Sequence, residues 1–328
     1  MEITQQFEYE PDRLKVIEHV QYKYGCAKNL EGVKMAPKPA QPLAGGLAGP
    51  GLVAHIVEDK HANHLPLYRQ EQMFNRLGYE VSRSSMARWL REVAEEFGEI
   101  LERMKERLLK SKVIHADETP LKFIDREKPR GKTRQGYLWT YYGDQEHPYV
   151  IFSFSPSRAA EAPIAFLGDY AGYLITDGYV AYERLVEKGK VTLVCCHAHA
   201  RRPFAELLKL SKNDSLAKEA IIFYQKLYAV EDEARKNNLS PEARYELRLK
   251  KSLPILDAFK QWLDHHLTKI PEQSKIGKAI RYCIGHWTEL TNYLKEGRIE
   301  IDNNLIENAI RPFALGRKVS GTSTPSFN

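Results

Sequence analysis

Three acidic side chains stand where they could do chemistry together: Asp117 in HADET, Asp177 in LITDGY and Glu307 in NNLIENAI. Each Asp closes a short apolar run, and an open α/β sheet presents its ligand-binding side chains at the carboxyl ends of its strands. Asp is also an ordinary turn former, so neither position says much alone. As a set the three share one chemistry. Hard divalent cations take oxygen ligands, and Mg²⁺ is held by one or two carboxylates while it keeps water for substrate phosphates. Two such ions about 3.5–4 Å apart clamp the attacking and leaving oxygens of a phosphoryl displacement. Without a cation, three carboxylates in one cleft raise one another's pKa. Their spacing along the chain does not decide whether they meet.

Three other constellations carry weaker signals. CHAHARR sets Cys196 and His199 three apart, with Cys195 and His197 beside them. Zinc needs four ligands, and no second pair stands at a familiar spacing, so the pair reads as a structural thiol and a packed histidine. Arg201 and Arg202 follow directly, and Arg311, Arg317 and Lys318 follow Glu307. Beside a carboxylate cluster such side chains would hold nucleic-acid phosphates; a solvated basic face is the competing reading. Residues 66–92 read as helix, Gly-containing turn and helix, the helix-turn-helix layout whose second helix enters the major groove. That helix begins SRSSMARW and offers Arg83, Ser84, Ser85 and Arg88 to DNA. An ordinary helical hairpin with solvated arginines has the same pattern.

The elements that must position these residues can be read from periodicity. KMAPKPAQPLAGGLAGPG (34–51) reads as a linker. From Leu52 the pattern is helical; Pro66 opens a second helix that stops at Gly78. Ser82 caps a third, running to residue 109, with Met86, Trp89, Leu90, Val93 and Phe97 on one face. The runs VIHADET, GYLWTYYG, PYVIFSFS, GYLITDGY and VTLVCCHA read as five strands of a mixed sheet, the first three a meander and the rest alternating with helix. Residues 203–236 and 241–296 are helical by period, broken at NNLSP and around Pro254, Pro271 and His286. A last helix bears Glu307 and ends before Pro312. The expected organisation is 1–50 as an N-terminal region and linker, 51–110 as an all-α DNA-binding region, 111–318 as a catalytic α/β domain with a helical insertion at about 203–300, and 319–328 as a disordered tail.

Composition agrees with this. The 328 residues carry 49 Lys+Arg against 43 Asp+Glu, a net charge of +6 that permits a polyanionic partner. No apolar run reaches transmembrane length, and MEITQQFEYEPD is not organised as a signal peptide. Four cysteines make no disulfide framework, which points to a reducing compartment.

HADETPLK, GYLWTYY, FSPSR, YLITDGYVAY, CHAHARRPF, IDNNLIENAIRPFALGRK and, upstream, HLPLYRQEQMFNRLGYEVSRSSMARW together resemble the transposases of the insertion-sequence-66 family, in order and over about residues 8–318. The resemblance implies a DDE transposase with a ribonuclease-H-like domain. In such proteins three carboxylates bind two Mg²⁺ or Mn²⁺ ions that activate water, then a DNA 3′-hydroxyl, for cleavage and strand transfer. It carries those catalytic and metal-binding roles onto Asp117, Asp177 and Glu307; Glu118, Asp125 and Asp302 are neighbouring acids without motif support. It also implies DNA partners (terminal inverted repeats and target), self-association on DNA, element-encoded helper proteins, no membrane partner, and a cytoplasmic, nucleoid-associated location.

Two departures from the family are expected to matter. Its members usually carry a zinc ribbon of two C-x-x-C knuckles near the N-terminus, whereas only Cys26 stands there, so no zinc is expected. After GRK the sequence VSGTSTPSFN departs from the family's further helices, which reads as a shortened copy. The alternative function is therefore a catalytically impaired remnant that only binds element ends. A two-carboxylate glycosidase would need no metal, and the order of motifs opposes it.

Overall fold

The computed structural model describes residues 14–25, 33–35, 37, 43, 48–125, 132–186, 190–211 and 214–319, the side chains of Lys132, Lys318 and Val319 excepted. Cys26 and the tail beyond Val319 lie outside the described residues, and with them the expectations placed there. The chain divides into two compact units, one up to Gly98 and one from Glu99 to Arg317.

In the first unit, β1 (Lys23–Gly25) and β2 (Val33–Met35) pair antiparallel, a ladder that the weak pattern of residues 1–50 does not announce. Three helices follow: α1 (Pro50–His61), α2 (Leu67–Arg76) and α3 (Arg83–Glu96). Gly78 turns the chain after α2 at φ +83°, which costs glycine nothing sterically. Val53, Ile56, Phe74, Met86 and Trp89 close a small core between the helices. The single helix expected over 82–109 is two. Phe97 caps α3 by donating its N–H to Val93 O, and α4 (Gly98–Leu108) starts at a residue that costs about 1 kcal/mol inside a helix. Phe97, expected on the buried face, is 49% exposed.

The second unit is built on five strands: β3 (Val113–Asp125), β4 (Lys132–Tyr142), β5 (Val150–Ser155), β6 (Gly172–Thr176) and β7 (Val191–Cys195). Their order is β5-β4-β3-β6-β7, with the first three antiparallel and β3, β6 and β7 parallel. This mixed sheet is the ribonuclease-H-like fold. The helix α5 (Glu161–Leu167) joins β5 to β6, and a 3₁₀ turn (Val180–Tyr182) with α6 (Glu183–Val186) joins β6 to β7. Ile114, Ala116, Trp139, Tyr141 and Leu174 face a core shared with α4 and α5. Val113, Ile175 and Val194 face the opposite way, toward Tyr293, Ile299 and Ile301.

Beyond β7 come α7 (His197–Leu210), α8 (Ser215–Lys236), α9 (Pro241–Leu267), α10 (Lys275–Gly285), α11 (Trp287–Thr291), a 3₁₀ turn (Asn292–Lys295) and α12 (Asn304–Val319). Two expected breaks are absent: Pro254 lies inside α9 and Pro312 inside α12. A proline removes one helical hydrogen bond and crowds the preceding turn, yet packing on both sides holds each helix together. In α9, Arg248 before Pro254 and Leu256, Phe259 and Leu263 after it are buried. In α12, Ile306 and Ile310 are buried before the proline, and Phe313 stacks on Phe152 after it.

Arg248 organises the insertion from within. It is fully buried and places all five of its N–H bonds: two on Glu231, one each on the carbonyls of Tyr293, Glu296 and Ile299. Arg244 joins Glu231 to Glu300, whose carboxyl is held down at about 2 by the Arg244 and Arg235 guanidinium groups despite its burial. Arg248→Met removes one of the two guanidinium partners of the buried Glu231 and is expected to destabilise the chain by about 3–5 kcal/mol in urea unfolding; a loss under about 1 kcal/mol would show that Arg244 alone satisfies Glu231.

Candidate functional site

Asp117 does not close its strand. It is the fifth residue of β3, which continues through Leu121 and Phe123 to Asp125. The continuation is legible only in retrospect, because Pro120 interrupts it. β6 pairs with β3 only from Val113 to His115, so beyond that point one side of β3 needs no ladder donor and tolerates a proline. The recorded register sets His115 beside Ile175. Asp117 lies two residues beyond His115 on the same face of β3, and Asp177 directly follows Thr176, the last residue of β6, close enough for its charge to raise Asp117.

Both carboxylates take a backbone hydrogen bond: Asp117 Oδ1 from the N–H of Glu118 and Asp177 Oδ1 from that of Tyr179, each at 2.9 Å. The Asp177 carbonyl accepts from the Tyr282 hydroxyl of α10 at 2.7 Å. Asp117 is nevertheless pushed up to about 7, first by burial and then by the negative charges of Glu118, Asp177 and Glu307. The sequence-remote Glu307 thus lies within electrostatic reach of Asp117. It sits in the first turn of α12, 37% exposed, with its carboxylate 3.8 Å from His199 Nε2 and 3.7 Å from Arg202.

The oxygen donors are of the kind that Mg²⁺ or Mn²⁺ takes, and their mutual repulsion is what a bound cation would relieve. The side chains as they stand are not gathered around one point: among the described residues, no three His, Cys, Asp or Glu groups are arranged to hold a metal ion. Glu307 leans toward α7 instead.

The neighbouring acids are engaged elsewhere. Glu118 points to the other face, where Arg158 donates to it at 2.5 and 2.8 Å and Tyr182 at 3.0 Å. Asp125 pairs with Arg134, and Asp302 accepts from Tyr228 and Asn304. Arg158, which the motif FSPSR contained but its pattern did not single out, also stacks 3.7 Å over the Tyr179 ring.

Cys196 is buried and precedes α7, where burial pushes its thiol up to about 12. His197 is a core residue: its Nε2 meets Leu290 O at 2.8 Å, and burial lowers it to about 4. His199 faces the acids, its pKa lowered by burial and then by Arg202. Arg201, Arg202 and Arg311 are exposed. Arg317 donates to the carbonyl of Pro120, and the Lys318 side chain lies outside the described residues. In the first unit, Ser82 caps α3 by accepting from Ser85 N. Arg83, Ser84 and Arg88 are exposed and Ser85 is half-buried; Arg83 lies 3.9 Å from Glu71 and Arg88 3.7 Å from Glu92.

The sheet order and the mixed strand directions define a ribonuclease-H-like protein. Residues 45–326 match the sequence family described as Transposase IS66 family, and the chain belongs to that family. The match includes residues 319–326, which the sequence pattern alone set apart from it. Uncharacterized proteins of Sinorhizobium fredii strain NGR234 are similar throughout. The protein y4qI is 35% identical over 323 residues, 94% of this chain and 59% of its own length; y4jD is 35% identical over 322 residues, 94% and 62%. A third, y4hP, is 30% identical over 97% of this chain and 60% of its own length. The chain spans about three fifths of the length of these relatives. No helix among the described residues is long and apolar enough to cross a membrane.

Two outcomes are expected. In metal-free buffer, Asp117 titrates near 7 in the folded chain and near its ordinary value of about 3.9 unfolded. A raised carboxyl costs nothing below about pH 4, and its cost grows until it is complete above about pH 7. Asp117→Asn should therefore stabilise the chain by about 2–4 kcal/mol at pH 8 and hardly at all at pH 4, as read from urea unfolding; equal effects at the two pH values would contradict the raised carboxyl. Arg158→Ala leaves the buried Glu118 charge without its guanidinium, with the Tyr182 hydroxyl still donating to it, and should cost about 1–3 kcal/mol, most of it recovered by adding Glu118→Gln.

Proposed function

We propose that the chain acts as the transposase of an insertion sequence, cutting DNA at the element ends and joining the freed 3′-hydroxyl to a target. The observation that carries this reading is the closeness of Asp177 and Glu307 to Asp117, within electrostatic reach of its carboxyl, in a chain of a transposase family. Asp117, Asp177 and Glu307 would hold Mg²⁺ or Mn²⁺, which when bound supplies Lewis-acid stabilisation of the attacking and leaving oxygens. Their carboxylate oxygens would serve as ligands, and Glu307 would have to swing from His199 and Arg202 to join them.

In this reading residues 111–318 form the catalytic domain, and Arg201, Arg202 and Arg311, with Arg317 and Lys318 beside them, meet DNA phosphates. Arg83, Ser84, Ser85 and Arg88 at the start of α3 read the terminal repeats from a region spanning 51–110. Partners are the element ends, the target, a second copy of the chain on DNA and element-encoded helpers; the location is the cytoplasm, on the nucleoid. A second reading, an element-end binder without turnover, is favoured by one observation: Glu307 faces α7 rather than the aspartates.

The purified chain with element-end DNA should nick and join only with Mg²⁺ or Mn²⁺. Asp117→Ala should lower this by at least a thousandfold while leaving DNA affinity within about twofold, as measured by gel assays of cleavage and binding. Salt-sensitive binding without any turnover in the unsubstituted chain selects the second reading.

A further inference from the structure

The segment entering α12 contains an asparagine whose side chain leaves its own helix. An Asn just before a helix ordinarily turns its side chain onto the N–H of the second or third helical residue. Asn303, fully buried, does otherwise. Its Nδ2 donates to the carbonyl of Ala116 at 2.9 Å, and its Oδ1 meets His115 Nδ1 at 2.8 Å. A backbone carbonyl only accepts, so the first bond fixes which way the amide points. His115 must then donate from Nδ1. Asn303 therefore grips β3 at the two residues immediately before Asp117.

Its main chain makes the other connections. The Asn303 N–H donates to Cys196 Sγ at 3.1 Å, and its carbonyl accepts the N–H of Glu307 at 3.3 Å. One side chain and its own peptide groups thus join the strand of Asp117, the turn before α7 and the first turn of α12. The shortest hydrogen-bonded path from Glu307 to the Asp117 strand runs through this residue.

We propose that Asn303 is a positioning residue that sets Glu307 against the Asp117–Asp177 pair, a role that rests on the three-acid reading above. Its amide touches neither DNA nor metal; it fixes where α12 begins. A shift of about 1 Å in such a ligand can cost roughly a hundredfold in rate.

The test uses the full chain and Mn²⁺ as the probe, with free Mn²⁺ followed by electron paramagnetic resonance in the absence of DNA and strand cleavage measured separately. Asn303→Ala should weaken Mn²⁺ binding at least tenfold and lower kcat for element-end cleavage about thirtyfold or more, with end-DNA affinity within twofold. Leu263→Ala, a core truncation in α9, serves as the comparison for a loss of melting temperature alone and should keep both properties per folded molecule. If Asn303→Ala does not fold, His115→Gln, which removes the imidazole from the Oδ1 contact together with its edge-on packing against Tyr142, should show the same two losses at severalfold.

Mn²⁺ binding and kcat equal to the unsubstituted chain in the folded variant would overturn the role of Asn303. A different result, an unsubstituted chain without Mn²⁺ binding that Glu307→Gln weakens, removes the three-acid reading itself and the positioning role with it.

Discussion

The second unit is arranged around a single electrostatic difficulty: β3 and β6 are parallel neighbours, and Asp177, just past the end of β6, comes close enough for its charge to raise Asp117 on β3. Strands about 4.8 Å apart cannot carry like charges there without compensation. The fold supplies some. Backbone N–H groups from Glu118 and Tyr179 bind the two carboxylates, and Arg158 pairs with Glu118 on the opposite face. It does not supply enough, because Asp117 remains near 7. Among the described residues no lysine or arginine pairs with Asp117. Arg202 and the His199 ring are directed at Glu307 instead. A site that keeps negative charge close-packed and withholds a fixed cation leaves room for a mobile one.

Much of the second unit was legible in the sequence because its strands are runs of β-branched and aromatic residues bounded by turn formers. A mixed sheet followed from the meander and the crossovers after it, and its ribonuclease-H-like form from the family resemblance; the strand order came from the structure. Register was not legible, since pairing depends on which faces find a core, and the closeness of Asp117 and Asp177 depends on that pairing. Prolines misled in both directions. Pro120 made β3 look half its length, and Pro254 and Pro312 looked like helix ends, because local rules count a lost hydrogen bond and cannot count burial on either side of it.

The residues that sequence reasoning missed have something in common. Asn303, Arg158 and Arg248 act on partners far along the chain: Ala116 and His115, Glu118, and the stretch from Tyr293 to Ile299. No periodicity marks them. By contrast, Ser82 was legible as a cap because its partner, Ser85, is three residues away. The signal available for Asn303 was only its place in IDNN, directly before the helix that bears Glu307.

These distant contacts give the helical insertion a definite role. From β7 the chain passes through α7 to α11 before it can deliver Glu307, and any looseness in that path would be inherited by α12. The return is fastened at successive points. Asn292 donates to Leu193 O on β7, Arg248 takes the carbonyls of Tyr293, Glu296 and Ile299, and Ile301 O accepts from His197 N. Asn303 then closes on β3. The insertion and the sheet therefore meet the same constraint from two sides: the sheet sets two acids by register, and the insertion's return path sets the third.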